Sequence, residues 1–407
     1  MKASTSKVCI TPRGTFYMDG YSSDERQLPA LGVHDDAYAI LVLLEEGDED
    51  LLFASLDVCT ITLSKTQRLR ELLSESTGVP DDRIVLVSIH SHSCPIGMRD
   101  NGLIDKETYG YNELVCGLVA QAASGLRSAL VEVKAELSRT HVRGWYSNRN
   151  DKDKPFDDEA YVIRFVDDDG TVVAALSNFN CHATVVGPKN RYLTTDVQGG
   201  VRAQLATWLG VTPLEFTGAS GDLGNRQFRK GNDFAELARV SNGIAGEMMK
   251  GPFEQIDLDG IKAREWRYDV DYDNTAYYPM YRERLAESEQ TLADPDSSFD
   301  ARKLARSAVL RLRQKLEMER IAFPIVMRTY DLGDLVFVTF PGELGSVFGL
   351  RIKSMFPGKT AIVVGYANDG RGYFVPKDDF GLGYESYSTR MYPGGVETVL
   401  DAYEEQL

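Results

Sequence analysis

Two histidines, His90 and His92, sit in the segment IVLVSIHSHSCP, 84–95, at the end of a β-branched apolar run. On an extended strand, residues i and i+2 share a face, so the two imidazoles are expected to project together from a strand end. The chain has only five histidines, the others being His34, His141 and His182. Paired imidazoles at such a place suit a metal site or proton transfer. A serine-rich turn also holds histidines through hydrogen bonds alone, and the pair by itself does not separate these readings.

Four further segments carry groups of the same kind. His182 ends another apolar run in ALSNFNCHATVVG, and Asp196 follows in TTDVQGG, ahead of a predicted helix. Taken alone, His182 reads as a hydrogen-bonded structural histidine. In EFTGASGDLGNR, 215–226, a strand-like run feeds a glycine-rich turn with Asp222 and Asn225, where backbone N–H groups can approach a ligand. Glu343, in VFVTFPGELGSVFGLRIK, lies between a strand and a helix start, a place where the helix dipole alone favours a carboxylate. The segment 363–395 is dense in tyrosine and glycine, includes Tyr373 and Tyr384, and lacks regular periodicity, as loops that build sites do.

These residues need rigid elements behind them. Apolar runs of strand length are expected to form strands at 37–44, 51–58, 84–88, 160–165, 172–180, 212–217, 335–340 and 361–366. Amphipathic stretches predict helices at 63–77, 107–129, 195–209, 235–250, 277–292, 301–321 and 344–355. The alternation reads as α/β, and turn signals at 46–50 and 167–170 predict hairpins, hence mixed sheets flanked by helices in one large domain. Residues 276–321, charge-rich around ADPDSSFD, are expected to form a solvated helical hairpin or a lid.

Composition narrows the partners. With 407 residues, 43% of them hydrophobic, the chain can bury a large core. Its 61 acidic against 45 basic residues give a charge of −16, which argues against nucleic acid and anionic lipid and for a small-molecule partner. No apolar stretch suits a signal sequence or a membrane span, so a cytoplasmic protein with no membrane insertion is expected. Five cysteines without a CxxC pair fit reduced thiols better than a disulfide framework. Homo-oligomerisation stays open.

Taken together and in this order, from Gly32 to Glu397, the segments resemble the catalytic domain of the neutral ceramidase family. SIHSHSCP is similar to the family's THTHSGP, FNCHATVV to its F-x-x-HPT, GDLGNR to its GDVSPN, and PGELGS to its PGE-F/L-T. RGY…YESYSTRMYP is similar to THY…YE-x-AS-T-x-YGP. The resemblance implies one Zn²⁺ per chain held by His90, His182, Glu343 and Tyr373, and substrate-binding and catalytic roles for His92, Arg149 in YSNRN, and Tyr384. Asp196 and Asp222 are then expected to orient imidazoles or loops, with Asn225 and Cys94 in the surrounding loops. The implied reaction is attack of zinc-activated water on a carbonyl carbon.

Three departures shape the expectation. Gly224 stands where the family has a serine, which favours water over serine acylation; Cys94 replaces a glycine and brings a thiol towards the metal. The sequence shows neither a signal sequence nor the family's C-terminal β-sandwich domain. A small soluble linear or cyclic amide is therefore expected over membrane ceramide. An ester or lactone hydrolase, a ceramidase proper, and a non-catalytic binding protein retaining the fold are the alternatives.

Overall fold

The computed structural model describes residues 1–21, 23–100 and 106–407. Three mixed sheets carry the fold, and each contains one parallel strand pair. In the first, the order is Ile84–Ser88, Glu49–Leu56, Tyr38–Glu46, Lys2–Cys9, Val131–Glu132, with Glu49–Leu56 parallel to Ile84–Ser88. The second runs Leu214–Thr217, Val172–Phe179, Glu159–Val166, Lys134–His141, Glu254–Ile256, its first two strands parallel. The third runs Leu258–Asp273, Arg320–Gly333, Leu335–Thr339, Thr360–Val364, its last two parallel.

The period of two in each strand explains why three sheets pack round one centre. In Tyr38–Glu46, Ile40, Val42 and Leu44 face a core shared with Leu176 and Phe216 of the second sheet and Phe337 and Ile362 of the third. The alternate residues Ala39, Leu41 and Leu43 face outward against Leu69 and Leu73 of helix Leu63–Thr77 and Val119 of helix Lys106–Ala123. Strands buried on both faces read as unbroken apolar runs, which is how most of them are legible in the sequence. The second sheet is backed by helices Asp196–Leu209 and Phe234–Met248, the third by Ser346–Ser354 and Gly395–Glu404.

Both expected hairpins form, since Tyr38–Glu46 pairs antiparallel with Glu49–Leu56, and Glu159–Val166 with Val172–Phe179. Helices Tyr278–Ala293 and Phe299–Leu316 form the 276–321 hairpin around Tyr281, Ala308 and Leu312. The second helix stops at Leu316, short of the expected 321, because Arg320 and Ile321 already belong to a strand. Helix Lys106–Ala123 likewise ends before the expected 129, a separate short turn covering Arg127–Ala129. Strands Lys2–Cys9, Lys134–His141, Leu258–Asp273 and Arg320–Gly333 were not among the expected elements.

The parallel pairs aim their C-terminal ends at one place, the position where ligands bind in open α/β sheets. These ends are stitched across sheets: Thr217 Oγ1 donates to the Ile89 carbonyl at 3.2 Å, Gly365 N to the Thr217 carbonyl at 3.0 Å and Ser88 N to the Tyr366 carbonyl at 3.3 Å. Among the described residues, no helix is long and apolar enough to cross a membrane.

Candidate metal centre

His90 follows the end of strand Ile84–Ser88, and its backbone enters the left-handed region at φ +58°. That conformation is costly for a side chain with a Cβ and is found where surrounding structure enforces it. The turn brings His90 Nδ1 to 2.7 Å from the Cys59 carbonyl, so Nδ1 donates there and Nε2 keeps its lone pair. His182, following Val172–Phe179, repeats this: Nδ1 lies 3.3 Å from the Ser220 carbonyl, leaving Nε2 as an acceptor.

Both free nitrogens face Glu343. Its Oε2 is 3.3 Å from His90 Nε2 and 3.7 Å from His182 Nε2, and it has no hydrogen-bond partner although it is shielded from solvent. A buried carboxylate oxygen beside two nitrogen lone pairs is costly as it stands, and a cation between the three would satisfy all of them. Glu343 is placed from both sides. Its strand Glu343–Leu344 pairs in parallel with Tyr373–Phe374, and a Cβ on Gly221 would lie 2.5 Å from the Glu343 carbonyl oxygen, so only glycine allows that approach.

His92 completes the imidazole cluster, with Nε2 3.1 Å from His90 Nε2 and 3.3 Å from His182 Nε2. Facing two lone pairs, Nε2 is the nitrogen that carries the His92 proton. Gly20, at φ +95°, packs so closely on His92 that a Cβ would lie 2.5 Å from its Cα, and the Tyr21 ring meets the imidazole edge-on at 4.9 Å. Burial, then His90, Arg149 and Arg26, push His92 well below the usual imidazole range; burial, then Arg149 and the other two imidazoles, do the same to His182.

The remaining expected site residues form a second group beside this one. Tyr373 stands directly across from Glu343 in the strand pair, and its hydroxyl accepts from Arg149 Nη2 at 3.2 Å. Tyr384 opens the short helix Tyr384–Ser388 and sets its ring edge-on to Tyr373 at 5.7 Å. A cavity of about 260 Å³ opens here, with Glu343, Tyr373, Asp222, Asn150, Lys154 and Glu385 in its wall.

Asp222 and Asp196 hold loops, while backbone carbonyls hold the imidazoles. Asp222 accepts from Ser346 N at 2.8 Å and Asn148 Nδ2 at 2.9 Å, joining the turn before Arg149 to the helix after Glu343. Asp196 accepts from Val185 N and Val186 N at 3.0 and 3.1 Å, folding back the loop that follows His182. Burial raises both carboxyls to about 6. Asn225 stays within its own turn, its carbonyl accepting from Phe228 N and Arg229 N at 2.9 Å.

The Cys94 thiol points to the Thr194 carbonyl at 3.8 Å, and the thiol against an imidazole is that of Cys59, 3.9 Å from His90 Nδ1. His34 and His141 lie away from the centre, stacked on Phe234 and bonded to Asp158. Sequence reasoning missed Cys59, Ser220, Tyr366 and Glu385. Ser220, Tyr366 and Glu385 lay inside segments singled out for site-type patterns, 215–226 and 363–395, whereas Cys59 did not.

No family model matches the sequence. The fold is similar to that of the neutral ceramidase from Pseudomonas aeruginosa, with a TM-score of 0.75 and 17% identity over 100% of this chain and 75% of that one. It is also similar to a ceramidase complexed with C2, with a TM-score of 0.73 and 18% identity over 99% of this chain and 73% of that one. Three helix-backed mixed sheets with their parallel ends converging on His90, His182 and Glu343 thus make up a neutral-ceramidase fold.

Proposed function

We propose that this chain is a metal-dependent hydrolase that cleaves the C–N bond of a small, soluble linear or cyclic amide. The observation that carries the reading is the unpartnered Glu343 Oε2 between two imidazole nitrogens whose opposite sides are fixed by carbonyls. His90 Nε2, His182 Nε2 and Glu343 Oε2 would hold the ion, with Tyr373, across the strand pair, as the fourth ligand. Two imidazoles and a carboxylate are a donor set suited to Zn²⁺, which lowers the pKa of a bound water to near 7 and polarises a carbonyl.

The protein's own groups do the rest. His92, with Nε2 turned towards both other imidazoles, is placed to move the proton: it would take up the proton that the attacking water releases and, as imidazolium, hand it to the leaving nitrogen, a step worth about 10²-fold or more. The Arg149 guanidinium and the Tyr384 hydroxyl stand beside Tyr373 as donors for an oxyanion. The cavity is smaller than the roughly 300–1,000 Å³ of drug-sized sites, and its wall joins carboxylates and an ammonium to Phe374, Val375, Pro376 and Leu382, which favours a compact substrate over a long acyl chain.

Elemental analysis of protein purified without chelators tests the reading. About one divalent ion per chain is expected, lost in His182→Ala and in Glu343→Ala. A metal-free wild type, or metal retained by both variants, overturns it.

A further inference from the structure

Tyr366 ends the strand expected at 361–366 and opens the tyrosine-rich segment 363–395, with no individual role assigned to it. In the structure the strand stops at Val364, and Tyr366 turns into the left-handed region at φ +54°, a conformation that costs a bulky residue on the order of 1–3 kcal/mol. The residue is buried.

Its contacts explain what enforces that backbone. The ring stacks on His90, with centroids 4.3 Å apart and planes 26° off parallel. The hydroxyl lies 2.9 Å from Ser220 Oγ and 3.5 Å from His182 Nδ1, and Ser220 supplies the carbonyl facing that nitrogen. The backbone N–H donates to the Gly342 carbonyl at 3.1 Å, next to Glu343, and the Tyr366 carbonyl accepts from Ser88 N. One side chain and its peptide groups therefore touch the segments that carry His90, His182 and Glu343, which come from three different sheets.

We infer that Tyr366 is the positioning residue of this centre: it sets the plane of His90 and the angle of His182 relative to Glu343. The inference rests on the metal-centre reading above. Three ligands on three separate segments need a common reference, because a small rotation of either imidazole moves its Nε2 lone pair off the point where the three meet. The ring covers one face of His90 and so limits its tilt, and the hydroxyl with Ser220 limits rotation of His182. Groups that orient metal ligands without touching the metal change affinity by about 10–100-fold when removed.

The test is titration of the metal-free protein with Co²⁺, followed by its visible ligand-field bands. Tyr366→Phe keeps the stack and loses the hydroxyl; Tyr366→Leu loses both. Affinity is expected to fall about tenfold in the first and towards a hundredfold in the second, with a band shift at saturation in Tyr366→Phe. Tyr161→Phe removes a buried hydroxyl bonded to Glu159 in the central core, and is expected to leave affinity and bands unchanged. Should Tyr366→Leu fail to fold, Tyr366→Phe decides alone. Wild-type affinity and bands in Tyr366→Phe, or an equal loss in Tyr161→Phe, overturn the inference while His182→Ala still abolishes binding. A wild type that binds no Co²⁺ overturns the metal-centre reading and this inference with it.

Discussion

Glu385 Oε1 accepts from Arg149 Nε, and its second oxygen accepts from Asn150 Nδ2 at 3.0 Å. The two side chains are 12% and 6% exposed, so this is a desolvated ion pair at the wall of the cavity. Nη2 donates to Tyr373 as well, and the Glu385 carboxylate balances the guanidinium charge. Arg149 is thereby held as an aimed hydrogen-bond donor.

Removing one member of that pair leaves the other charged and buried, at a cost of about 3–5 kcal/mol. Glu385→Ala and Arg149→Met should each show it in urea unfolding. The double variant Arg149→Met/Glu385→Met should lose less than the sum, by more than about 1 kcal/mol, since the two groups are in contact. Additive losses would mean that the charges do not couple.

A leaving amine must be protonated before it departs, whereas an activated phenolate leaves unaided. The Nδ1 protons of His90 and His182 are used on carbonyls, which leaves His92, with Nε2 facing the other two rings, as the imidazole placed to pass a proton on. His92→Gln should therefore reduce amide turnover by about a hundredfold or more and turnover of the matching nitrophenyl ester much less. Equal losses on both substrates would remove His92 as the acid and leave it a structural or ligating role.

Much of this was legible because rare residue types follow unmistakable strands. Ile84–Ser88 and Val172–Phe179 are apolar on both faces, so their ends could be located, and His90 and His182 stand just beyond them. Leu258–Asp273 was not legible. Its alternate residues, among them Glu265, Arg267, Asp269 and Asp271, face solvent, and the charge masks the period of two. Lys2–Cys9 is small and polar, yet lies inside a sheet because it pairs along its whole length with Tyr38–Glu46. The roles of Tyr366 and Ser220 depend on how two turns from different sheets meet, and the Arg149 and Glu385 partnership on a closure across most of the chain. Local pattern carries no signal for either.

Glu343 gives a stability test that runs opposite to ordinary truncation. Without a cation its Oε2 is a buried acceptor with no donor, a cost of about 1–3 kcal/mol or more for a charged group. Glu343→Gln should therefore match or exceed the wild type in thermal stability when both are metal-free. Adding Zn²⁺ should reverse the order, since an ion at 100 times its Kd stabilises the folded wild type by about 2.7 kcal/mol. Calorimetry with and without chelator checks both halves. A metal-free Glu343→Gln protein that melts well below the wild type would mean that the carboxylate has a protein partner in solution.

The last prediction concerns a carboxyl outside the site. Glu215 lies on strand Leu214–Thr217, on the face opposite Leu214 and Phe216, fully buried, taking a hydrogen bond from Ser177 Oγ on one oxygen while the other has no partner. Burial raises it to about 8, although Ser177 and Arg202 pull the other way and Arg202 is already clasped by Asp57 at 2.7 and 2.6 Å. Between its ordinary value of 4.5 and about 8, the folded state holds a proton that the unfolded chain has released. Stability should thus be fullest below pH 4.5 in this respect, fall as pH rises, and level off above 8, with a slope of at most about 1.4 kcal/mol per pH unit. Glu215→Gln is neutral throughout and lacks that slope. Its unfolding free energy should be near that of the wild type at pH 5 and about 2 kcal/mol or more above it at pH 9, measured by urea unfolding across the range. Parallel pH profiles for the two proteins would show that Glu215 is ionised in the folded core, with Arg202 shared between it and Asp57.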